Sequence, residues 1–136
     1  MSDPLVWLPF DPSHLRATLG ELPAGLRFEV VDPTEHVPDS VRDVRFYVTP
    51  YQMGPAVGDV LPRMGSLEVV QTLSAGVDNV RDRVPEGVVL CNGRGIHDSS
   101  TAELTLALVL ASLRDVPWMV RDQDARRWNT RWRPAL

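Results

Sequence analysis

Five short apolar runs punctuate the chain, at Leu5 to Phe10, Leu26 to Val31, Val44 to Val48, Leu67 to Thr72 and Val88 to Cys91. Each is rich in valine, leucine or aromatic residues and ends in turn residues or a polar break, the pattern of buried strands. Between them, Pro12 to Leu19 and Pro55 to Met64 have the spacing of amphipathic helices with proline near the start, where a missing N–H is harmless. Strands alternating with helices give a parallel sheet covered on both faces. Right-handed crossovers then make the expected fold α/β: a flavodoxin-like, doubly wound parallel sheet of about five strands.

A long helix follows. Ser100-Thr101-Ala102-Glu103 has the spacing of a capping box, so the helix is expected to start near Ser100 and to run until Pro117 closes it. From Leu104 to Leu113 almost every residue is apolar, and no face is meant for water. Such a helix needs cover on more than one side. A sheet supplies one, and another domain or a second subunit must supply the rest. The chain therefore divides into residues 1–98 and a crossover segment, 99–136.

The composition excludes several functions. The 136 residues suffice for one domain with a real core, and a net charge of -4 gives no general attraction for nucleic acid or an anionic membrane. All 14 basic residues are arginine, so neither a Schiff base nor a lysine general base is available. Cys91 stands alone, which rules out an intrachain disulfide and a cysteine-rich metal site. The start, MSDPLVWLPF, lacks the basic front of a signal peptide, and Leu104 to Leu113 is about half of what a membrane-spanning helix needs. A soluble, cytoplasmic protein is expected. Arg121, Arg126, Arg127, Arg131 and Arg133, interleaved with Trp118, Trp128 and Trp132, fit a subunit or domain contact better than a nucleic-acid surface.

Ligands of an open parallel sheet bind beyond the carboxyl ends of its strands. Two such ends stand out. The run ending at Thr72 leads into Ser74-Ala75-Gly76-Val77-Asp78-Asn79, where small residues let backbone amides approach a carboxylate or phosphate and Asp78 or Asn79 can open a short helix. Gly76 as a plain turn is the competing reading. The run ending at Cys91 leads into Asn92-Gly93-Arg94-Gly95-Ile96-His97-Asp98, whose spacing imitates a dinucleotide fingerprint. Asp98 stands where the third glycine belongs and would repel a pyrophosphate, so this loop is read as lining a cleft. His97 could orient or protonate a ligand there. His14 and His36 are expected to face solvent, the three histidines lack metal-ligand spacing, and neither Ser74 nor Cys91 has a base and an orienting acid at recognisable spacing.

VVQTLSAGVDNV followed by VVLCNGRGIHDSSTAELTLALVLASLRDVP resembles the D-isomer-specific 2-hydroxyacid dehydrogenases, a family that includes phosphoglycerate dehydrogenases and glyoxylate or hydroxypyruvate reductases. The resemblance runs from about Leu67 to Pro117. It implies a flavodoxin-like substrate domain over residues 1–98, then a crossover helix leading into an NAD- or NADP-binding Rossmann domain. It places Ser74, Ala75 and Gly76 at the loop whose amides hold the carboxylate of a 2-oxo acid. Tyr51 and His97 fall on the substrate side of the cleft, Ser100 and Thr101 near the nicotinamide, and the helix over residues 100–115 in a homodimer contact. The family's glycine fingerprint and its catalytic arginine, glutamate and histidine match nothing in these 136 residues.

The expectation is thus the N-terminal substrate-binding part of an NAD(P)-dependent D-2-hydroxyacid dehydrogenase, truncated before its Rossmann domain. Alone it binds no cofactor and is inactive. The alternative is a stand-alone small-acid-binding or dimerisation module with the same fold.

Overall fold

The computed structural model describes residues 3–51, 54–130 and 132. Two compact units divide at Ile96 and His97. The first runs β1 (Leu5–Leu8), α1 (Ser13–Leu19), β2 (Arg27–Val30), a 3-10 turn (Asp39–Asp43), β3 (Val44–Val48), α2 (Pro55–Asp59), a second 3-10 turn (Leu61–Arg63), β4 (Val69–Gln71), α3 (Asp78–Arg81) and β5 (Val89–Cys91). The second unit holds α4 (Asp98–Leu113) and α5 (Val116–Asp124).

All neighbouring strands pair in parallel, in the order β2-β1-β3-β4-β5. This is the doubly wound, flavodoxin-like order, and it puts a topological switch point between β1 and β3. Register explains why the strands read as continuous apolar runs. Trp7, Tyr47, Val70 and Leu90 align across four strands on one face, and Phe28, Val6, Phe46, Val69 and Val89 align across five on the other. The first face carries the main core, where Val57, Val60 and Leu61 from the α2 region and Val80 of α3 close over Trp7, Val44, Tyr47 and Val70. The second face is thinner. Leu15 of α1, with Leu26 and Phe28, packs against Val6, Leu8 and Val48, whereas Val89 at the far edge is 56% exposed.

Three details depart from the sequence reading. The helix expected over Pro55 to Met64 breaks after Asp59 into a 3-10 turn, because Pro62 lacks an N–H and disfavours helical geometry at Leu61 before it. No capping box forms. α4 starts two residues before Ser100, at Asp98 with His97 as its N-cap, and the Ser100 hydroxyl donates back to the His97 carbonyl at 3.1 Å. Asp98 favours this earlier start, since a carboxylate in the first turn complements the positive end of the helix. Finally, Pro117 opens α5 instead of closing α4: the reversal is made at Asp115, in the left-handed region at φ 55°.

α4 differs from expectation in a larger respect. Its apolar residues lie all round the axis, yet none of its side chains is buried, and Leu104, Leu106, Leu108 and Leu110 are exposed. α5 is more one-sided and buries only Asp122. That carboxylate accepts a 2.7 Å bond from Asn129 Nδ2 and pairs with Arg127 at 3.2 Å, pinning the segment after α5. No helix among the described residues is long and apolar enough to cross a membrane. Of the arginine-rich tail, Arg131 and Arg133 lie outside the described residues.

Candidate functional site

The carboxyl ends of the strands gather the candidate residues of the first unit. Extended pairing continues one residue past β4, where Thr72 N–H donates to the Cys91 carbonyl at 3.0 Å. Thr72 is fully buried, and its hydroxyl donates forward to the Ser74 carbonyl at 2.8 Å, turning the chain at the sheet edge. The Ser74 carbonyl also accepts from Gly93 N–H at 2.8 Å. One residue on, Asn92 Nδ2 donates to the Ala75 carbonyl at 2.8 Å, and the Ser74 hydroxyl donates to the Gly76 carbonyl at the same distance.

All three carbonyls of Ser74, Ala75 and Gly76 are therefore engaged from within the protein. None of their three amides donates to an acceptor among the described residues. A trans peptide sets each N–H opposite the carbonyl of the preceding residue, so the internally bonded carbonyls of Ser74 and Ala75 leave the N–H groups of Ala75 and Gly76 pointing away from those bonds, as a carboxylate site requires. Ser74 is half-buried, whereas Ala75 and Gly76 are exposed. α3 begins directly after the loop, at Asp78 as the sequence suggested, but its single turn adds little dipole. The Asp78 carboxylate is close, at 3.9 Å from where a Cβ on Gly76 would sit.

The loop after β5 acts as a brace. A Cβ on Gly93 would come within 3.4 Å of the Ser74 backbone and 2.8 Å of Ile96 Cδ1, so glycine permits this close approach. The clamping role of Asn92 and the turning role of Thr72 escaped the sequence reading. A polar residue capable of bonding backbone groups, at the first position after each strand, was the available signal.

Tyr51 lies on the neighbouring loop after β3 and is 60% exposed. It lines an open crevice of ≈ 530 Å³ at the β1/β3 switch point, together with Pro9, Phe10, Asp32, Thr34, Pro50, Gly54 and Leu73. Leu73 joins this crevice to the Ser74 loop in sequence. Asp32 makes an Asx turn, accepting from Thr34 Oγ1 at 2.6 Å and Thr34 N–H at 2.9 Å, and these bonds hold its carboxyl below the usual carboxylate range. Ser74, Ala75, Gly76 and Tyr51 thus share one sheet edge of the first unit. His97, Ser100 and Thr101 belong to the second, as N-cap and first turn of α4.

No family model matches the sequence. Among curated proteins, the D-3-phosphoglycerate dehydrogenase of Bacillus subtilis is 32% identical over 73 residues, which are 52% of this chain and 14% of that protein. Among solved structures, a D-isomer-specific 2-hydroxyacid dehydrogenase family protein from Aeromonas salmonicida superposes with a TM-score of 0.79 at 20% identity over 99% of this chain, a likeness of fold. A D-isomer-specific 2-hydroxyacid dehydrogenase from Xanthobacter autotrophicus, solved with NADPH, gives 0.69 at 25% identity over 98% of this chain. Sequence and structural relatives alike indicate the D-isomer-specific 2-hydroxyacid dehydrogenase family.

This chain spans 43% of each of those two dehydrogenase structures. A dehydrogenase of this family uses a dinucleotide, but the residues of the one glycine-rich loop here do not fit one. Gly93 is committed to the Ser74 backbone, and Asp98 places a carboxylate in the first turn of the helix that would face the pyrophosphate.

Proposed function

We propose that this chain forms the substrate side of an NAD(P)-dependent D-2-hydroxyacid dehydrogenase, in which the amides of Ser74, Ala75 and Gly76 hold the carboxylate of a small 2-oxo or 2-hydroxy acid. One observation carries the reading: every carbonyl of that loop is bonded internally while its three amides have no acceptor among the described residues. Two or three amide donors on a carboxylate fix its position without any cation, which suits a site lacking lysine. Tyr51 borders the reactive end of the substrate, and His97 is assigned a substrate-side role without serving as the catalytic acid. Ser100 and Thr101 stand near the nicotinamide, which is supplied with its dinucleotide by a separate Rossmann domain together with the residues that move hydride and proton. The exposed apolar surface of α4 supports a homodimer through residues 100–115. A stand-alone small-acid-binding module would share the carboxylate loop and differ only in needing no nucleotide partner.

Titration of the 15N-labelled chain with glyoxylate tests the grip. The amide resonances of Ser74, Ala75 and Gly76 are expected to shift in a saturable way, and NADH added to the same sample to keep its absorbance. Unmoved loop amides at saturating glyoxylate would refute the grip, and steady NADH consumption would refute the division of labour.

A further inference from the structure

The crevice at the β1/β3 switch point has an unusual charge balance for a protein that handles acids. Its described lining holds one charged side chain, Asp32, and neither arginine nor histidine. Most of the remaining wall is apolar or aromatic, from Phe10, Tyr51, Leu73 and two prolines. Pro9 and Pro50 remove two backbone N–H groups from the strand ends where an anion would otherwise find donors. The Thr34 hydroxyl is no free donor either, since its proton goes to Asp32 at 2.6 Å. Asp32 is exposed, and the Thr34 bonds hold its carboxyl below the usual carboxylate range.

The location matters as much as the charge. Leu73 lines the crevice and leads straight into Ser74, and β3 and β4 are adjacent parallel strands whose loops leave from the same sheet edge. A small acid with its carboxylate on the Ser74–Gly76 amides has the crevice beside it to receive the rest of the molecule. Resting on the carboxylate grip proposed above, we propose that Asp32 selects substrates by charge, admitting 2-oxo acids whose remainder is apolar or neutral and rejecting those with a second carboxylate or a phosphate. Because Asp32 is exposed, like charges ~6 Å apart act through a dielectric of ~80 and weaken binding roughly threefold at low salt. No cation among the described lining residues offsets that repulsion.

The test compares three 2-oxo acids on the 136-residue chain by amide shift titration: glyoxylate, which has no side chain, 4-methyl-2-oxopentanoate, whose side chain is apolar, and 2-oxoglutarate, which carries a second carboxylate. The apolar acid is expected to perturb Phe10, Tyr51 and Leu73 in addition to the loop, and 2-oxoglutarate to bind roughly threefold more weakly than it at low salt. Asp32→Asn preserves the acceptor for both Thr34 bonds while removing the charge, and is expected to close that gap. Equal binding of the two acids by the original chain, or an unchanged gap in Asp32→Asn, overturns the role of Asp32. If glyoxylate itself leaves the loop amides unmoved, the grip fails, and the charge filter falls with it.

Discussion

At the scale of single residues, the core has one polar cost without evident return. Tyr47 is fully buried on β3, meets Trp7 edge-on at a centroid distance of 6.2 Å, and its hydroxyl has no hydrogen-bond partner among the described residues. Burial, with a smaller contribution from the Asp32 charge, pushes this phenol well above its ordinary value of 10.0. The folded state thus favours the neutral form, so its stability is complete below about pH 10 and falls as pH rises beyond that. Tyr47→Phe keeps the ring contact and is expected to raise stability at pH 7 by about 0–1 kcal/mol. It should also remove a loss of up to about 1.4 kcal/mol per pH unit above pH 10. Urea unfolding at pH 7 and pH 11 measures both; a variant less stable at both would reveal a hydrogen bond to that hydroxyl. Residues of this kind are poorly legible in a sequence. The placement of Ser74, Ala75 and Gly76 after a strand was readable from small residues following an apolar run, and the bonds from Thr72 and Ser74 to the loop carbonyls are local, but those from Asn92 and Gly93 exist only because β4 pairs with β5.

At the scale of elements, legibility follows how local the deciding force is. β3 matched its apolar run because both ends are set by nearby turns, and α1 followed its amphipathic spacing. α4 starts two residues before its capping motif because the motif competes with an acidic first turn, where Asp98 complements the helix dipole. The same helix was read correctly as having no polar face, and that property makes it testable. Exposed leucines on one helix are a liability unless another surface covers them. Leu106 and Leu110 lie one turn apart on one side of α4, both more than half exposed. If the proposed dimer forms through this face, the double variant Leu106→Glu and Leu110→Glu is expected to convert it into a monomer while leaving the melting of the first unit within about 0.5 kcal/mol. An unchanged sedimentation coefficient would remove this face from any dimer contact.

For the molecule as a whole, the distribution of burial decides what holds the fold. Every buried apolar residue among those described, from Leu5 to Val80, lies in the first unit, while the second buries only the Asp122 carboxylate. Burial of apolar surface is the dominant favourable term in folding, at roughly 25 cal/mol per Å², and helices without packing are marginal in water. The cooperative unfolding of this chain should therefore be a property of the sheet unit. A chain ending at Ile96 is expected to unfold in urea with a free energy within about 1 kcal/mol of the full sequence, and with a smaller m-value only in proportion to the ordered surface it loses. Hydrogen exchange in the full chain should agree: amides of β1 and β3 protected to the global limit, amides of α4 opening at far lower cost. Equal protection in α4 and β3 would mean that the helix shares in the cooperative core, and would place its covering surface within the chain itself. Fast exchange in α4 that slows on addition of a nucleotide-binding domain would instead tie the order of this helix to the partner domain proposed above.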